Sequence, residues 1–301
     1  MAPTEKGRYD GILNVDKPQG WTSHDVVAKI RNLTRQKQVG HAGTLDPMAT
    51  GVLVVLLGQA TRLSQFVSGH RKEYRAVIRL GVETDTHDSE GKILSTKEVP
   101  PFTREEIEEV LSRFTGEIEQ VPPMYSAIKK KGVPLYRMAR KGIEIEREPR
   151  KVTIYELELE EINLPVVTLR VTCSAGTYIR SLARDMGKEL GCGAILSSLV
   201  RLASGPFKLA DAIPMDKIEN AASSGNLPDL ILPMDVGVQE LPMVIFSRTE
   251  SEKLLHGQMI PASGGIQAPV ARAYDEEGKF LALVSFDREK NAWRPKKVFA
   301  Q

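Results

Sequence analysis

A glycine-rich segment followed at once by an apolar run constrains the fold of this chain more than any other feature. Residues 40–51 read GHAGTLDPMATG, and residues 52–58 continue as VLVVLLG. Glycine adopts backbone conformations that other residues resist and lets another molecule come close. Pro47 fixes its own backbone and moves Asp46 out of helical geometry. The sequence therefore predicts a rigid loop that aims the Asp46 carboxylate and leads into a strand. An ordinary turn capped by Asp46 is the alternative.

The other periodicities predict strands and helices without a regular β-α-β rhythm. Residues 74–81 alternate apolar and polar side chains as a half-buried strand does, and residues 166–173 give another strand. Thr103 with Glu106 and Ser247 with Glu250 form capping patterns that predict helix starts. We therefore expect an α+β fold, with a mixed and mainly antiparallel sheet flanked by helices.

The pattern changes near residues 233–237, which suggests a domain boundary. Beyond it, short strands separated by turns fill the rest of the chain, as is typical of a small barrel-like β-domain. We expect a large domain over residues 1–237 and a small β-barrel-like domain over residues 238–301.

The composition argues against a membrane protein and against a secreted protein. The 301 residues contain no apolar run of about 18 residues, so we expect no transmembrane helix. The first residues, MAPTEK, lack the apolar core of a secretory signal. The two cysteines, Cys173 and Cys192, form no C-x-x-C motif and fit a reduced protein. We therefore expect a cytoplasmic protein.

Positive charge is concentrated in one stretch, residues 122–151, which we call the basic segment. It holds nine basic and three acidic residues, although the whole chain has a formal net charge of only +2. Tyr125 and Tyr136 lie among the basic residues. Charge combined with aromatic rings is typical of a surface that follows an RNA backbone and stacks on bases. A solvated charged face is the alternative.

No familiar cofactor or metal motif is present. The sequence lacks a phosphate-binding loop, a dinucleotide fingerprint, a zinc-protease motif and a serine-nucleophile elbow. The five histidines show no metal-ligand spacing. Residues 84–91 are rich in oxygen donors, but His87 occupies the third ligand position of a calcium loop. We therefore expect no metal and no cofactor, and a chemistry run by a carboxylate.

Asp46 needs a partner that keeps it ionised and oriented, and Arg180 is the best candidate. Arg180 follows GTYI at a predicted strand-to-helix junction, where the helix dipole disfavours a cation. A paired arginine would lower the pKa of the Asp46 carboxyl and orient the group. Tyr74 begins a strand with apolar neighbours on its own face, so it is either a core ring or a functional one. Leu199 is open to the same two interpretations.

Several collinear blocks resemble the TruB type of bacterial tRNA pseudouridine synthase. They run in order over roughly residues 10–205 and are NVDKPQG (14–20), GHAGTLDPMATG (40–51), KEYR (72–75), GVETDT (81–86), MYSA (124–127), GTYIR (176–180) and GCGA (191–194). The chain departs from the family pattern at Ile195, Ser198 and Val200, which are apolar or small here.

The resemblance implies an isomerase that flips the uridine at position 55 of the tRNA T loop and converts it to pseudouridine. Asp46 would act covalently as nucleophile, Tyr74 would stack on the base and assist proton removal, and Arg180 would pair with Asp46. The implied substrate-binding residues are His41, Tyr178, Leu199, Lys17, Gly43, Thr44, Lys129, Lys130 and Arg140. The basic segment resembles the family's RNA-gripping insertion.

The C-terminal part resembles a PUA-like module that holds the acceptor-stem end. The expected partner is therefore tRNA, for a monomer without an obligate protein partner and without membrane association. Two alternatives stay open. A non-catalytic tRNA-binding or folding protein would not need Asp46, Tyr74 and Arg180 together, and a synthase could act on another uridine. Whether Asp46 attacks the base, attacks the sugar or removes a sugar proton is left undecided by the sequence.

Overall fold

The computed structural model describes residues 9–126, 128–130, 132–139, 142, 143, 145–262 and 268–299, and gives the backbone alone at 129, 130, 134 and 136. The α-helices of this part are α1 (Ser23–Thr34), α2 (Ser64–Ser68), α3 (Arg104–Ser112), α4 (Leu135–Ala139), α5 (Ile179–Glu189), α6 (Met215–Ser224) and α7 (Arg248–Leu255). Short 3-10 helices cover Gly58–Leu63, Leu209–Asp211, Leu227–Leu230 and Met234–Val238.

The strands fall into two larger sheets and two small hairpins. They are β1 (Gly11–Lys17), β2 (Val39–Ala42), β3 (Thr50–Leu57), β4 (Lys72–Leu80), β5 (Val82–Thr84), β6 (Ile93–Thr96), β7 (Gly116–Gln120), β8 (Lys129–Lys130), β9 (Val133–Pro134), β10 (Arg150–Asn163), β11 (Val166–Cys173), β12 (Ala194–Ser204), β13 (Phe207–Lys208), β14 (Ile213–Pro214), β15 (Met243–Phe246), β16 (Ile260–Pro261), β17 (Ala271–Asp275), β18 (Phe280–Asp287) and β19 (Ala292–Val298).

The main sheet has ten strands in the order β14-β1-β3-β12-β4-β11-β10-β7, with β2 beside β3 and β13 beside β12. Its pairs are antiparallel except β1 with β14 and β3 with β12. β3 is buried along almost its whole length, which explains its continuous apolar sequence. The strands β3, β12 and β4 at the centre of the sheet carry the elements of the site described below.

Buried and exposed side chains alternate along β4, and the buried ones show which face of the sheet is packed against the core. Tyr74, Ala76, Ile78 and Leu80 are buried, whereas Arg75 and Arg79 are exposed on the other face. The buried face packs with Leu182, Ala183 and Met186 of α5 and with α3 in one hydrophobic cluster. Burying a leucine or methionine side chain completely contributes about 1.5–3 kcal/mol to the stability of the fold. This packing fixes the start of α5 against the sheet.

The C-terminal part forms a five-stranded sheet in the order β15-β17-β18-β19-β16. Tyr274, Phe280 and Phe299 from this part share a core with Val67 of α2 and with Val54 of β3. Strands and helices are thus mixed in the way the sequence predicts, and the α+β prediction with a β-rich C-terminal sheet is confirmed. Within the described residues, we find no helix with the length and apolarity needed to cross a membrane.

Candidate active site

Asp46 and Arg180, 134 positions apart in sequence, form an ion pair. Nη2 of Arg180 donates to Oδ1 of Asp46 at 3.0 Å, and its Nε lies 2.8 Å from Oδ2 without the geometry of a hydrogen bond. The arginine side chain is 5 % exposed and the aspartate side chain 33 % exposed. A charge-assisted hydrogen bond of this kind orients a carboxylate as well as stabilising its charge. The predicted pairing is therefore present, and the carboxylate keeps one side open to an incoming molecule.

Hydrogen bonds with residues distant in sequence hold Arg180 at the start of α5. Tyr178 is the N-cap residue, and the Gln120 side chain bonds both its N–H (2.7 Å) and its carbonyl (3.0 Å). The Arg180 guanidinium also donates to the carbonyl oxygens of Tyr125 at 2.8 Å and Thr86 at 3.3 Å. A buried cation at a helix N-terminus is tolerated here because anionic and carbonyl oxygens surround it.

Asp88 is a second carboxylate on Arg180, and the sequence analysis did not identify it. Its Oδ2 lies 3.4 Å from Nη1 of Arg180, and its side chain is 5 % exposed. Its Oδ1 accepts hydrogen bonds from the Thr86 hydroxyl and the Glu90 N–H. The oxygen-rich loop of residues 84–91 thus orients a carboxylate toward the arginine. The oxygen density of the loop was the signal that could have revealed this role.

Burial dominates the ionisation of Asp46. It raises the pKa of the Asp46 carboxyl above the usual value of 3.8, and the positive charge of Arg180 opposes part of that rise. The expected effect of Arg180, to lower this pKa, is therefore confirmed, although burial outweighs it. The negative charge of Asp88 adds to the rise.

Tyr74 and Leu199 lie on the core face of neighbouring strands, close to the Asp46 loop. Tyr74 on β4 is 8 % exposed, and Leu199 on β12 stands opposite Ala76. Both belong to the cluster that contains Leu45, the residue before Asp46. Burial raises the pKa of the Tyr74 hydroxyl, while the nearby Arg201 guanidinium opposes that rise. The negative charge of Asp46 adds to this rise, so the predicted ring lies near the predicted carboxylate, and Leu199 shares their hydrophobic cluster.

Lys17 anchors the far side of the Asp46 loop. The residue is fully buried, and its Nζ donates to the carbonyl oxygens of Trp21 at 2.6 Å, Pro18 at 2.9 Å and Pro47 at 3.2 Å. Pro47 directly follows Asp46. Burial lowers the pKa of the Lys17 ammonium to about 8. The structure thus shows Lys17 supporting the loop from below.

The other predicted residues around the loop are placed as follows. His41 lies on β2, opposite Val55 of β3, and burial lowers the pKa of its imidazole. Gly43 has a positive φ of 94° at the start of the loop, and Thr44 after it is exposed. The side chains of Lys129 and Lys130, and Arg140 as a whole, lie outside the described residues.

Arg201 is a further residue of the site that the sequence analysis did not single out. It lies on β12 opposite Tyr74 and is 1 % exposed. A lone arginine inside the apolar run Leu199–Ala203 was the available signal, because an unpaired charge is rarely buried without a purpose. Ser198 and Val200 stand opposite Val77 and Arg75 on the other face of the sheet. These two departures from the family pattern therefore point away from Tyr74.

Comparison with known proteins gives concordant matches. The model described as "TruB family pseudouridylate synthase (N terminal domain)" matches residues 31–179, and the "tRNA pseudouridylate synthase B C-terminal domain" matches residues 180–239. A tRNA pseudouridine synthase B of Dehalococcoides mccartyi is 47 % identical over 96 % of each chain. That of Clostridium kluyveri is 45 % identical over 91 % of this chain and 94 % of its own.

The solved structures agree. A chain of a Cbf5–Nop10–Gar1 complex is 32 % identical with a TM-score of 0.76, and the match covers 96 % of this chain and 85 % of that one. A chain of an archaeal box H/ACA Nop10–Cbf5 complex is 28 % identical with a TM-score of 0.75, over 99 % and 89 % of the two chains.

Proposed function

The chain belongs to the TruB family of tRNA pseudouridine synthases, and from that premise we propose that it isomerises the uridine at position 55 in the tRNA T loop. The observation that carries this proposal is the ion pair of Asp46 with Arg180, formed in a rigid loop beside Tyr74. A carboxylate held in this way is poised for covalent catalysis without assistance from a cofactor.

The reaction is balanced within the substrate. The N1–C1′ glycosidic bond breaks, a C5–C1′ bond forms, and over the whole reaction C5 loses a proton while N1 gains one. The Asp46 carboxylate acts as a transient nucleophile: it forms a covalent bond to the base or the sugar, and this bond breaks again before the product leaves, which returns the free carboxylate. Tyr74 stacks on the released base and assists removal of the C5 proton. Arg180 keeps the carboxylate oriented between these steps.

The target uridine must leave its stack before it reaches Asp46. Flipping a nucleotide costs about a few kcal/mol, which contacts in the pocket must offset. We assign these contacts to His41, Tyr178 and Leu199. Gly43 and Thr44 let the RNA backbone approach the loop, because Thr44 is exposed and Gly43 carries no side chain. Lys17 supports the loop from the protein side.

Two parts of the chain would hold the rest of the tRNA. We assign the T arm to the basic segment, including Lys129, Lys130 and Arg140, because several cations close together bind phosphates. We assign the acceptor-stem end to a PUA-like domain over residues 238–301, with residues 1–237 as the catalytic domain. We propose that the enzyme acts as a monomer, because Asp46, Tyr74 and Arg180 all come from one chain, and that it works in the cytoplasm, where tRNA is its substrate.

Mapping the modified position tests this proposal. Unmodified tRNA transcripts are incubated with the protein, treated with a carbodiimide that marks pseudouridine, and copied by reverse transcriptase. We expect one enzyme-dependent stop, reporting uridine 55, and none from a transcript carrying cytidine there. Stops at other uridines in both transcripts would contradict the T-loop assignment while leaving synthase activity intact.

A further inference from the structure

One guanidinium joins both ends of the loop that carries Asp46. Nη2 of Arg201 donates to the Gly43 carbonyl at 3.0 Å and Nη1 to the Thr44 carbonyl at 3.5 Å. Its Nε donates to the Val52 carbonyl at 2.6 Å. Gly43 and Thr44 precede Asp46, whereas Val52 follows the loop on β3. Because the guanidinium is planar and its donors have fixed directions, these three hydrogen bonds fix the distance between the two ends of the loop.

The backbone of Arg201 also contacts the end of this loop. Arg201 pairs with Gly51 where β12 runs parallel to β3. Gly51 has a φ of 94°, and a Cβ built on it would lie 2.3 Å from the Arg201 carbonyl oxygen. Such an approach is possible only for glycine. Four residues around the Asp46 loop, Gly43, Thr44, Gly51 and Val52, thus contact Arg201.

Tyr74 is the other group in contact with Arg201. The two residues stand opposite each other on β12 and β4 and share one face of the sheet. The positive charge of Arg201 opposes the rise in pKa that burial causes at the Tyr74 hydroxyl. Arg201 therefore stands opposite Tyr74 on the sheet and contacts the Asp46 loop.

Arg201 is a buried cation whose hydrogen-bond partners are uncharged carbonyl groups. Among the described residues, the Arg201 side chain donates its hydrogen bonds to backbone carbonyls and forms no ion pair with a carboxylate. The ammonium of Lys72 is a second cation nearby. Burying a cation without a counterion costs free energy that a neutral side chain would not. Loop support alone would not require the charge.

We propose that Arg201 is a positioning residue of the isomerisation, which ties the Asp46 loop to the strand position directly opposite Tyr74 and so fixes the carboxylate relative to the ring. The proposal rests on the proposed function, because it assigns the step that depends on Asp46 and Tyr74 together. Arg201 is buried beneath the loop and would not touch the RNA, so its loss should slow the chemical step more than it weakens binding.

The test separates rate from affinity. Single-turnover rates and dissociation constants are measured on an unmodified T stem-loop RNA for the wild type, Arg201→Lys and Arg201→Gln. The matched control is Arg272→Lys, because Arg272 also donates to a backbone carbonyl (Leu241, 2.9 Å) and lies beside a tyrosine (Tyr274 hydroxyl, 3.1 Å), but in the C-terminal sheet. Melting temperatures are recorded for all variants.

We expect Arg201→Lys to lose at least tenfold in single-turnover rate and Arg201→Gln to lose more, since lysine keeps the charge and glutamine does not. Both should bind the RNA within threefold of wild type, and Arg272→Lys should keep its rate within twofold. A wild-type rate for Arg201→Lys, or equal losses in rate and affinity, would overturn the proposal. So would failure of both variants to fold, which would make Arg201 a folding residue. An inactive wild type would instead refute the proposed function.

Discussion

Replacing Arg180 by methionine removes a cation that two carboxylates share, the half-buried Asp46 and the buried Asp88. In the wild type the guanidinium lies 2.8 Å from an oxygen of Asp46 and 3.4 Å from an oxygen of Asp88. Methionine retains most of the aliphatic volume without the charge. Both carboxylates then lose their nearest positive partner while the packing around α5 changes little.

The size of the effect follows from the burial of each partner. Removing one member of a buried ion pair costs about 3–5 kcal/mol, because the remaining charge stays buried without compensation. Asp88, whose side chain is 5 % exposed, falls in this class. Asp46 is 33 % exposed, and solvent screens part of its charge. We therefore expect Arg180→Met to lower the free energy of unfolding at pH 7.5 by about 3–5 kcal/mol, mainly through Asp88.

The loss depends on pH in a defined direction. Arg180 is the largest influence that lowers the pKa of Asp46, so its removal moves this pKa further above the unfolded-state value near 3.8. The folded variant then binds protons that the unfolded chain does not. Its deficit is therefore full above the folded-state pKa and shrinks as the pH falls toward the unfolded-state value.

Urea unfolding at pH 7.5 and pH 5 measures both expectations. The control is Arg184→Met, one turn along α5, where Arg184 pairs with Asp185 at 2.7 Å near the surface. That pair is 26 % and 29 % exposed, so its loss should cost no more than about 1 kcal/mol. A deficit for Arg180→Met no larger than that of the control, or one equal at both pH values, would refute the electrostatic reasoning.

Three further predictions concern the loop and the RNA grip. Gly51→Ala should destabilise the protein more than Gly176→Ala in thermal melting, since both glycines have positive φ but only at Gly51 does a backbone atom block the Cβ; equal losses would contradict the close approach. Lys17→Met leaves three carbonyls short of a charged donor and should cost about 2–3 kcal/mol and slow turnover; an unchanged melting temperature would argue against the anchor. Neutralising Lys129–Lys131 should weaken RNA binding and reduce its salt slope by about 2–3, and an unchanged slope would favour a solvated face.

The elements that repeat a simple pattern were predictable from the sequence. The alternation at residues 74–80 defines β4, and the capping boxes at Thr103 and Ser247 are both present at helix starts. The Asp46 loop was predictable because glycine permits backbone conformations that other residues resist and proline fixes its own φ. Arg180 stood out because a cation at a helix N-terminus needs an external reason.

What the sequence did not reveal depends on contacts between distant residues. β12 was not predicted because its register shifts at two places, which breaks the alternation of a regular strand. Without that strand, no sequence pattern placed Arg201 opposite Tyr74, where the fold buries it. Asp88 lies in the oxygen-rich loop of residues 84–91, whose sequence was compared only with a calcium-binding loop. The net pKa direction of Asp46 also required the burial of the folded state, which no local pattern contains.

Tritium release from an unmodified T stem-loop RNA carrying C5-labelled uridine tests the central claim most directly, because isomerisation exchanges the hydrogen at that carbon for the glycosidic bond. Wild type, Asp46→Asn and the control Asp185→Asn are compared at equal occupancy of the RNA. We predict stoichiometric release by the wild type and the control, and none by Asp46→Asn, with RNA binding by all three within tenfold. Release by Asp46→Asn at a rate near that of wild type would contradict the assignment of Asp46 as the catalytic carboxylate.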